Sequence, residues 1–126
     1  MITAGIDIGS ITAKAAVLKD GEIIGSMVIF TGYNSSQAGK NVIDELAKEI
    51  GISVDDLDAI VATGYGRNSV EFATKAITEI TCHGAGAHFL NPDIRFIIDI
   101  GGQDSKVIRI DESGRVADFA MNDKCA

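Results

Sequence analysis

The stretch Asp99-Ile100-Gly101-Gly102-Gln103-Asp104-Ser105-Lys106 follows the apolar run 94–98, and the similar stretch Gly5-Ile6-Asp7-Ile8-Gly9-Ser10-Ile11-Thr12-Ala13-Lys14 opens the chain. In each copy a strand-like run ends in Asp, glycine and small hydroxyl residues follow, and a Lys comes next. Glycine lets backbone N–H groups approach an anion closely, and the neighbouring Asp can hold a hydrated divalent metal. Either copy alone is typical of an ordinary β-hairpin. The repetition, with Lys14 matching Lys106, predicts two phosphate-binding hairpins that act as two jaws on a nucleotide.

Composition limits the classes of protein to which the chain can belong. Of its 126 residues, 46% are hydrophobic, which excludes general disorder. No window approaches the ~20 uninterrupted apolar residues of a membrane span, and the opening residues indicate a strand rather than a signal peptide. The formal net charge of −7 repels polyanions. We therefore expect a cytoplasmic protein with no membrane or nucleic-acid partner, which binds phosphate locally through amides, a few lysines and a metal ion.

Hydrophobic periodicity predicts an α/β fold with the element order βββαβα followed by βββ. The first helix has Ser35 or Ser36 as its candidate N-cap and Gly51 just past its end. The second meander has no covering helix behind it, so one apolar face is left open, which indicates a fragment or dependence on a partner. The strands are predicted over 4–8, 14–19, 22–30, 59–63, 94–99, 105–110 and 115–120. The first helix is predicted to run from its cap at Ser35 or Ser36 to Ile50, and the second over 77–90.

The buried strand at 59–63 ends at Gly64-Tyr65-Gly66-Arg67-Asn68. Two glycines, an aromatic residue and an Arg at the end of a strand stand where open α/β sheets place their ligands. A plain surface turn is the alternative interpretation.

Five blocks of sequence together resemble the activator component of 2-hydroxyacyl-CoA dehydratases, in the BadF/BadG/BcrA/BcrD ATPase family. This family also contains the ATPase subunits of benzoyl-CoA reductases. The resemblance runs from Met1 to Ala126, and the chain is similar to the N-terminal half of a family member. The blocks are Gly5–Ser10, Ala62–Asn68, Glu79–His83, Asp99–Asp104 and Met121–Ala126.

The resemblance implies a fold and a function. The fold is a ribonuclease-H-like lobe of the actin, sugar kinase and heat-shock chaperone ATPase superfamily over residues 1–93, followed over 94–126 by the opening β-meander of a second, incomplete lobe. The function is that of an ATP-driven electron donor. In such activators a homodimer shares one [4Fe–4S] cluster between its subunits and is reduced by ferredoxin or flavodoxin. It passes a low-potential electron to a 2-hydroxyacyl-CoA dehydratase partner as MgATP is hydrolysed to ADP.

The resemblance also gives roles to the first hairpin. Asp7 is expected to hold the hydration shell of Mg²⁺, and Gly9, Ser10 and Thr12 are expected to supply amides or hydroxyls to the outer phosphates. Lys14 adds positive charge, and the alternative for Lys14 is a solvated lysine at a strand edge.

The second hairpin is expected to form the opposing phosphate loop. Asp99, Gly101, Gly102 and Gln103 carry this role. Either Gln103 or Asp104 is expected to orient the attacking water, because phosphoryl transfer relies mainly on positioning and charge neutralisation. The residues themselves do not decide between these two.

Cys125 matches a cluster ligand of the family, and thiolate is the ligand that iron–sulfur clusters require. Cys82 lies within a predicted helix and is interpreted as a small core residue. His83 and His88 are interpreted as structural, because no second ligand stands at metal spacing near them in the sequence. No disulfide is expected in a cytoplasmic protein.

Two other functions stay open. A sugar-kinase-like phosphotransferase of the same fold would use the second Asp as the base for a sugar hydroxyl, although the setting of Cys125 argues against it. A non-catalytic half-lobe would bind a partner chain through its uncovered sheet face.

Overall fold

The computed structural model describes residues 1–101 and 104–122 and divides into two compact units, Met1–Ile77 and Thr78–Ala126. The first unit is a five-stranded sheet of order β3-β2-β1-β4-β5, in which β1 pairs antiparallel with β2 and parallel with β4. Two single 3₁₀ turns, at 54–56 and 67–69, flank β4. The elements of this unit are β1 Ile2–Ile8, β2 Thr12–Lys19, β3 Glu22–Phe30, α1 Ser35–Ile50, β4 Ala59–Thr63 and β5 Lys75–Ala76.

Helix α1 covers one face of this sheet and forms the core with it. Its apolar residues recur at spacings of three and four, so they lie on one side of the helix. Alternate residues of β1, β2 and β4 meet them, and each fully buried aliphatic side chain contributes about 1.5–3 kcal/mol. The core residues include Ala4, Ile6, Ile8, Ala13, Ala15, Val17, Val42, Ile43, Leu46, Ile60 and Ala62.

The two ends of α1 are capped by different devices. Asn34 is extended, with φ −122° and ψ 100°, and its Oδ1 accepts a hydrogen bond of 3.1 Å from the Gln37 N–H. The predicted cap at Ser35 or Ser36 is therefore wrong, because Ser35 is already helical. Gly51 ends the helix as predicted, with a left-handed φ of 80° that glycine adopts without strain.

The second unit contains a helix, α2 (Glu79–Leu90), and an antiparallel sheet, β6 (Phe96–Ile100), β7 (Ser105–Ile110) and β8 (Val116–Asn122). Gly84 is buried on the side of α2 that packs against the sheet. A Cβ at this position would lie 3.1 Å from Ile110 Cγ2 and from Val116 Cγ2, so glycine allows the helix to pack closely on β7 and β8.

The other face of this sheet is open, as the order of elements predicted. Phe96, Ile98 and Ile100 lie on it and are 67%, 73% and 78% exposed. On β7, Val107 and Arg109 lie on this open face. Lys106 and Ile108 lie on the opposite face and are buried.

The remaining predicted strands and helices are confirmed, with boundaries within two residues of those observed. The two-residue strand β5 was not predicted, because hydrophobic periodicity has no meaning over so short a run. In the structure α2 groups with the second meander, and the compact units divide between Ile77 and Thr78. The lobe boundary expected between residues 93 and 94 stays a prediction. Within the described residues, no helix is long and apolar enough to cross a membrane.

Replacing the N-cap tests the corrected start of α1. We expect Asn34→Ala to lower the free energy of unfolding by about 1 kcal/mol, because the Gln37 N–H loses its acceptor. Urea unfolding followed by circular dichroism measures this. Ser36→Ala is the matched control and should leave stability unchanged; a larger loss in the control would reassign the cap.

Candidate functional site

A row of three polar side chains crosses the first sheet on the face opposite α1. Asp7 is in register with Lys14 on β2 and with Thr63 on β4. Residues in register on neighbouring strands point to the same face, and their neighbours Ile6, Ile8 and Ala62 point into the core. Lys14 Nζ lies 3.8 Å from Asp7 Oδ2. The sequence prediction that Asp7 and Lys14 act together is thus consistent with their positions.

The turn of the first hairpin is closed by its own backbone. The Gly9 N–H donates to the Thr12 carbonyl at 2.9 Å, so Ser10 and Ile11 form a two-residue loop at the exposed tip. Thr31, which follows β3, anchors this loop, since its Oγ1 donates to the Gly9 carbonyl at 2.9 Å. The Gly9 amide, a predicted phosphate donor, is therefore already engaged within the turn. Thr12 Oγ1 accepts a hydrogen bond of 2.9 Å from Lys14 Nζ.

The glycine turn after β4 lies directly against Asp7. Gly64 has φ +90°, and a Cβ there would lie 2.4 Å from Asp7 Oδ1 and 2.5 Å from the Ile8 carbonyl oxygen. The Gly66 N–H donates to that same carbonyl at 2.9 Å, and Arg67 Nη1 donates to the Gly64 carbonyl at 3.1 Å. The turn is thus held beside a predicted site residue, as the ligand-turn interpretation requires.

Thr63 was not singled out from the sequence, and it has the most unusual environment in the row. It is buried, and its Oγ1 has no hydrogen-bond partner in the part of the chain that the structure describes. An unsatisfied buried hydroxyl costs about 1–3 kcal/mol. Sequence could have indicated only that a hydroxyl residue ends the strand before a glycine turn.

The second hairpin repeats the hydrogen-bond pattern of the first. Asp99 on β6 is in register with Lys106 on β7, and the Gly101 N–H donates to the Asp104 carbonyl at 2.8 Å. The sequence repeat is therefore also a repeat in geometry. Gly102 and Gln103, both predicted at this loop, lie outside the described residues, and so does Cys125.

The charges of the two hairpins differ. The Lys106 side chain is only 5% exposed, and its Nζ lies 3.0 Å from Asp104 Oδ1, 3.5 Å from Asp99 Oδ2 and 3.6 Å from Glu79 Oε2. One ammonium thus faces three carboxylates, a formal charge of −2. Burial lowers the pKa of Lys106, but the hydrogen bond and charge of Asp104, with the charges of Glu79 and Asp99, outweigh burial and raise it above 10.5.

His83 was interpreted as structural, yet it lies beside this hairpin. Its Nδ1 is 3.1 Å from Asp99 Oδ2. Glu79 and His83 are four residues apart on α2, so they share a helix face. The contact of His83 with Asp99 and that of Glu79 with Lys106 are tertiary contacts that sequence spacing does not reveal. Within residues 1–101 and 104–122, no group of three or more His, Cys, Asp or Glu side chains is arranged to hold a metal ion directly.

The first hairpin fits a hydrated cation carrying phosphate. A carboxylate, an ammonium and a hydroxyl that no described residue satisfies stand in one row, and the missing Cβ of Gly64 keeps Asp7 Oδ1 accessible. Mg²⁺ binds oxygen ligands and keeps several of its waters, so one carboxylate suffices in a protein site of this kind.

A cavity of about 600 Å³ in the first unit lies elsewhere. Its lining includes Gln37, Lys40 and Ile43 of α1 together with Ile60 and Phe72. Because Ile43 and Ile60 belong to the core side of the sheet, this cavity is on the opposite face from Asp7 and is not part of the site.

A family model, a curated relative and a solved structure all match this chain over nearly its full length. The model of the BadF/BadG/BcrA/BcrD ATPase family matches residues 4–126. The activator of lactoyl-CoA dehydratase from Anaerotignum propionicum is 47% identical, over 100% of this chain and 49% of that protein. The crystal structure of component A of the (R)-2-hydroxyglutaryl-CoA dehydratase from Acidaminococcus fermentans matches with a TM-score of 0.92 at 42% identity, over 100% of this chain and 49% of that one.

A second solved structure contains a nucleotide analogue. The activator of the 2-hydroxyisocaproyl-CoA dehydratase from Clostridium difficile, with bound ADPNP, matches with a TM-score of 0.88 at 43% identity, over 100% of this chain and 47% of that one. The predicted fold class, an α/β ATPase lobe with part of a second lobe, is confirmed by these matches. The chain spans about half the length of the curated relatives that it matches.

Removing the central ammonium tests the charge balance of the second hairpin. We expect Lys106→Met to lower the free energy of unfolding by about 3 kcal/mol, because three carboxylates are left without their counterion. Since the pKa of Lys106 is raised in the folded state, its contribution is complete below pH 10.5 and is lost as the pH rises through the higher folded pKa.

Urea unfolding at a series of pH values from 7 upward measures this effect. The difference in stability between wild type and Lys106→Met should be constant up to about pH 10 and shrink above it. Lys75→Met is the control, because Lys75 is exposed, and it should change stability little. A difference that grows at alkaline pH would contradict the assignment.

Proposed function

Because the chain belongs to the BadF/BadG/BcrA/BcrD ATPase family, we propose that the intact protein is an ATP-hydrolysing activator of a 2-hydroxyacyl-CoA dehydratase. The observation that carries the proposal is the doubled hairpin, with Asp7 in register with Lys14 and Asp99 in register with Lys106. Two Asp–Lys pairs on glycine hairpins suit the binding of a metal-bound polyphosphate. The names of the relatives, which are activators of lactoyl-CoA and 2-hydroxyisocaproyl-CoA dehydratases, support the choice of partner.

In this proposal the first hairpin binds MgATP. Asp7 holds the cation through its water molecules, and Ser10 and Thr12 contact the outer phosphates from the hairpin. Lys14 lies 3.8 Å from the Asp7 carboxylate, close enough to share its charge with a phosphate oxygen. When bound, Mg²⁺ neutralises charge on the phosphates and so favours attack by water. The ADPNP bound by the Clostridium difficile activator supports a nucleotide as the ligand.

The second hairpin is proposed to act on the nucleotide through Asp99, Gly101, Gly102 and Gln103. Its formal charge of −2 repels a bare phosphate, so it requires the cation that accompanies the nucleotide. The Asp104 carboxylate is engaged by Lys106 at 3.0 Å. This favours Gln103 over Asp104 as the residue that orients the attacking water.

We propose further that hydrolysis is coupled to electron transfer. Cys125 would supply a thiolate to a [4Fe–4S] cluster shared between the subunits of a homodimer. Ferredoxin or flavodoxin would reduce this cluster, and the dehydratase would accept its electron in the cytoplasm. Nucleotide binding would shift the protein between two conformations that differ in their contact with the partner.

Neutralising Asp7 tests the nucleotide site. We expect Asp7→Asn to lower the rate of ATP hydrolysis by the intact protein about 100-fold or more, because the cation loses its charged partner. Phosphate release in excess Mg²⁺ measures the rate. Asp44→Asn is the matched control, since Asp44 pairs with Lys40 on α1, on the other side of the sheet, and it should hydrolyse ATP at the wild-type rate. Normal turnover in Asp7→Asn would remove Asp7 from the site.

The cluster proposal has its own test. We expect Cys125→Ser to lose the iron–sulfur absorption and the spin-resonance signal after anaerobic reconstitution of the intact protein with iron and sulfide, because serine lacks the thiolate. Cys82→Ser should keep both signals. The opposite result, with Cys82 required and Cys125 dispensable, would contradict the ligand assignment.

A further inference from the structure

The hydroxyl of Thr63 stands in the same row as the proposed cation ligand. Thr63 is the last residue of β4 and is in register with Asp7 of β1. Asp7 is in register with Lys14 of β2, so an alcohol, a carboxylate and an ammonium follow one another across three adjacent strands. Gly64 comes immediately after Thr63, and a Cβ there would lie 2.4 Å from Asp7 Oδ1.

The environment of this hydroxyl differs from that of three other threonines in the first unit. Thr31 Oγ1 donates to the Gly9 carbonyl at 2.9 Å, and Thr74 Oγ1 accepts from the Ile60 N–H at 2.9 Å. Thr12 Oγ1 accepts from Lys14 Nζ. Thr63 is only 9% exposed, and no described atom of the protein satisfies its Oγ1. A water molecule or a ligand can supply the partner that the described residues do not provide.

We infer that Thr63 is a positioning residue, whose hydroxyl holds a water molecule of the divalent cation at Asp7. The inference rests on the proposed function of Asp7. A bridging water needs two to four polar partners, and here a hydroxyl that both donates and accepts stands beside a carboxylate that only accepts. Mg²⁺ keeps several waters when it binds through one carboxylate and substrate phosphates. Thr63 thus acts on the cation through its water and fixes the cation relative to the phosphates.

The inference makes two opposite predictions for one substitution. Thr63→Val keeps the branched shape and removes only the hydroxyl. In the nucleotide-free protein we expect it to raise Tm by about 2–4 °C, because an unsatisfied buried polar group is removed. In the same protein we expect the affinity for ADP in Mg²⁺ to fall about tenfold, since outer-sphere partners contribute this much to metal sites. Affinity for ADP in EDTA should not change, and Thr63→Ser should keep the wild-type affinity in both conditions.

Calorimetric titration of ADP into the intact protein, with Mg²⁺ or with EDTA, and thermal unfolding without nucleotide provide these measurements. A lower Tm in Thr63→Val would overturn the inference, because the hydroxyl would then have a partner within the protein. Equal losses of affinity in Mg²⁺ and EDTA would also overturn it, since the effect would not pass through the cation.

Asp7→Asn distinguishes failure of the inference from failure of the proposed function. Suppose that Asp7→Asn removes the Mg²⁺ dependence of ADP binding and that Thr63→Val leaves this dependence at the wild-type level. The inference about Thr63 is then wrong, and the proposed cation site at Asp7 is retained. If the wild-type protein binds ADP equally well with and without Mg²⁺, both are wrong.

Discussion

The register of β1 is the constraint on which the rest of the first unit depends. One face of this strand supplies Ile6 and Ile8 to the core under α1, and the other face presents Asp7 in line with Lys14 and Thr63. Because side chains alternate along a strand, a slip of one residue would bury the Asp7 carboxylate and expose both isoleucines. Core burial therefore fixes the position of the site: the hydrophobic free energy that holds α1 on the sheet also holds the carboxylate in its row.

The two hairpins show how one backbone device can carry different electrostatics. Each has an Asp and a Lys in register and a glycine N–H bonded to the carbonyl three residues later. Lys14 faces one carboxylate and is partly exposed, whereas Lys106 is buried among three. The first hairpin is close to neutral and suits phosphate, and the second is anionic and suits a phosphate that arrives with a cation. The two hairpins thus share a backbone pattern and differ in charge.

Helix α2 is joined to the second hairpin by polar contacts as well as by packing. Gly84 lets it approach Ile110 and Val116, while Glu79 contacts Lys106 and His83 contacts Asp99. A change in the charge near Asp99, such as the binding of a cation, therefore acts on two residues of this helix. Packing and ion pairs thus join the hairpin to the helix, and the nucleotide-dependent activation proposed above needs a link of this kind.

Much of the fold was predictable because its signals are local. Alternation predicted the strands of both meanders, Gly51 predicted the end of α1, and the repeated Asp-Ile-Gly pattern predicted both hairpins. Five blocks of sequence carried the resemblance to an ATPase family, which the comparisons confirm. The errors were at places where local signals compete or are too short. The cap of α1 was predicted at Ser35 or Ser36, but Asn34 caps the helix. Strand β5 was missed because it has only two residues.

The sequence by itself determined the order of the longer elements, the residues of the two hairpins and the family. Only the tertiary structure decided that Thr63 is buried beside Asp7 with no hydrogen-bond partner among the described residues, that Glu79 contacts Lys106 and that His83 contacts Asp99. The physical reason is that turn chemistry and periodicity depend on neighbouring residues, whereas burial and ion pairing depend on residues that are distant along the chain and meet only when the sheets form.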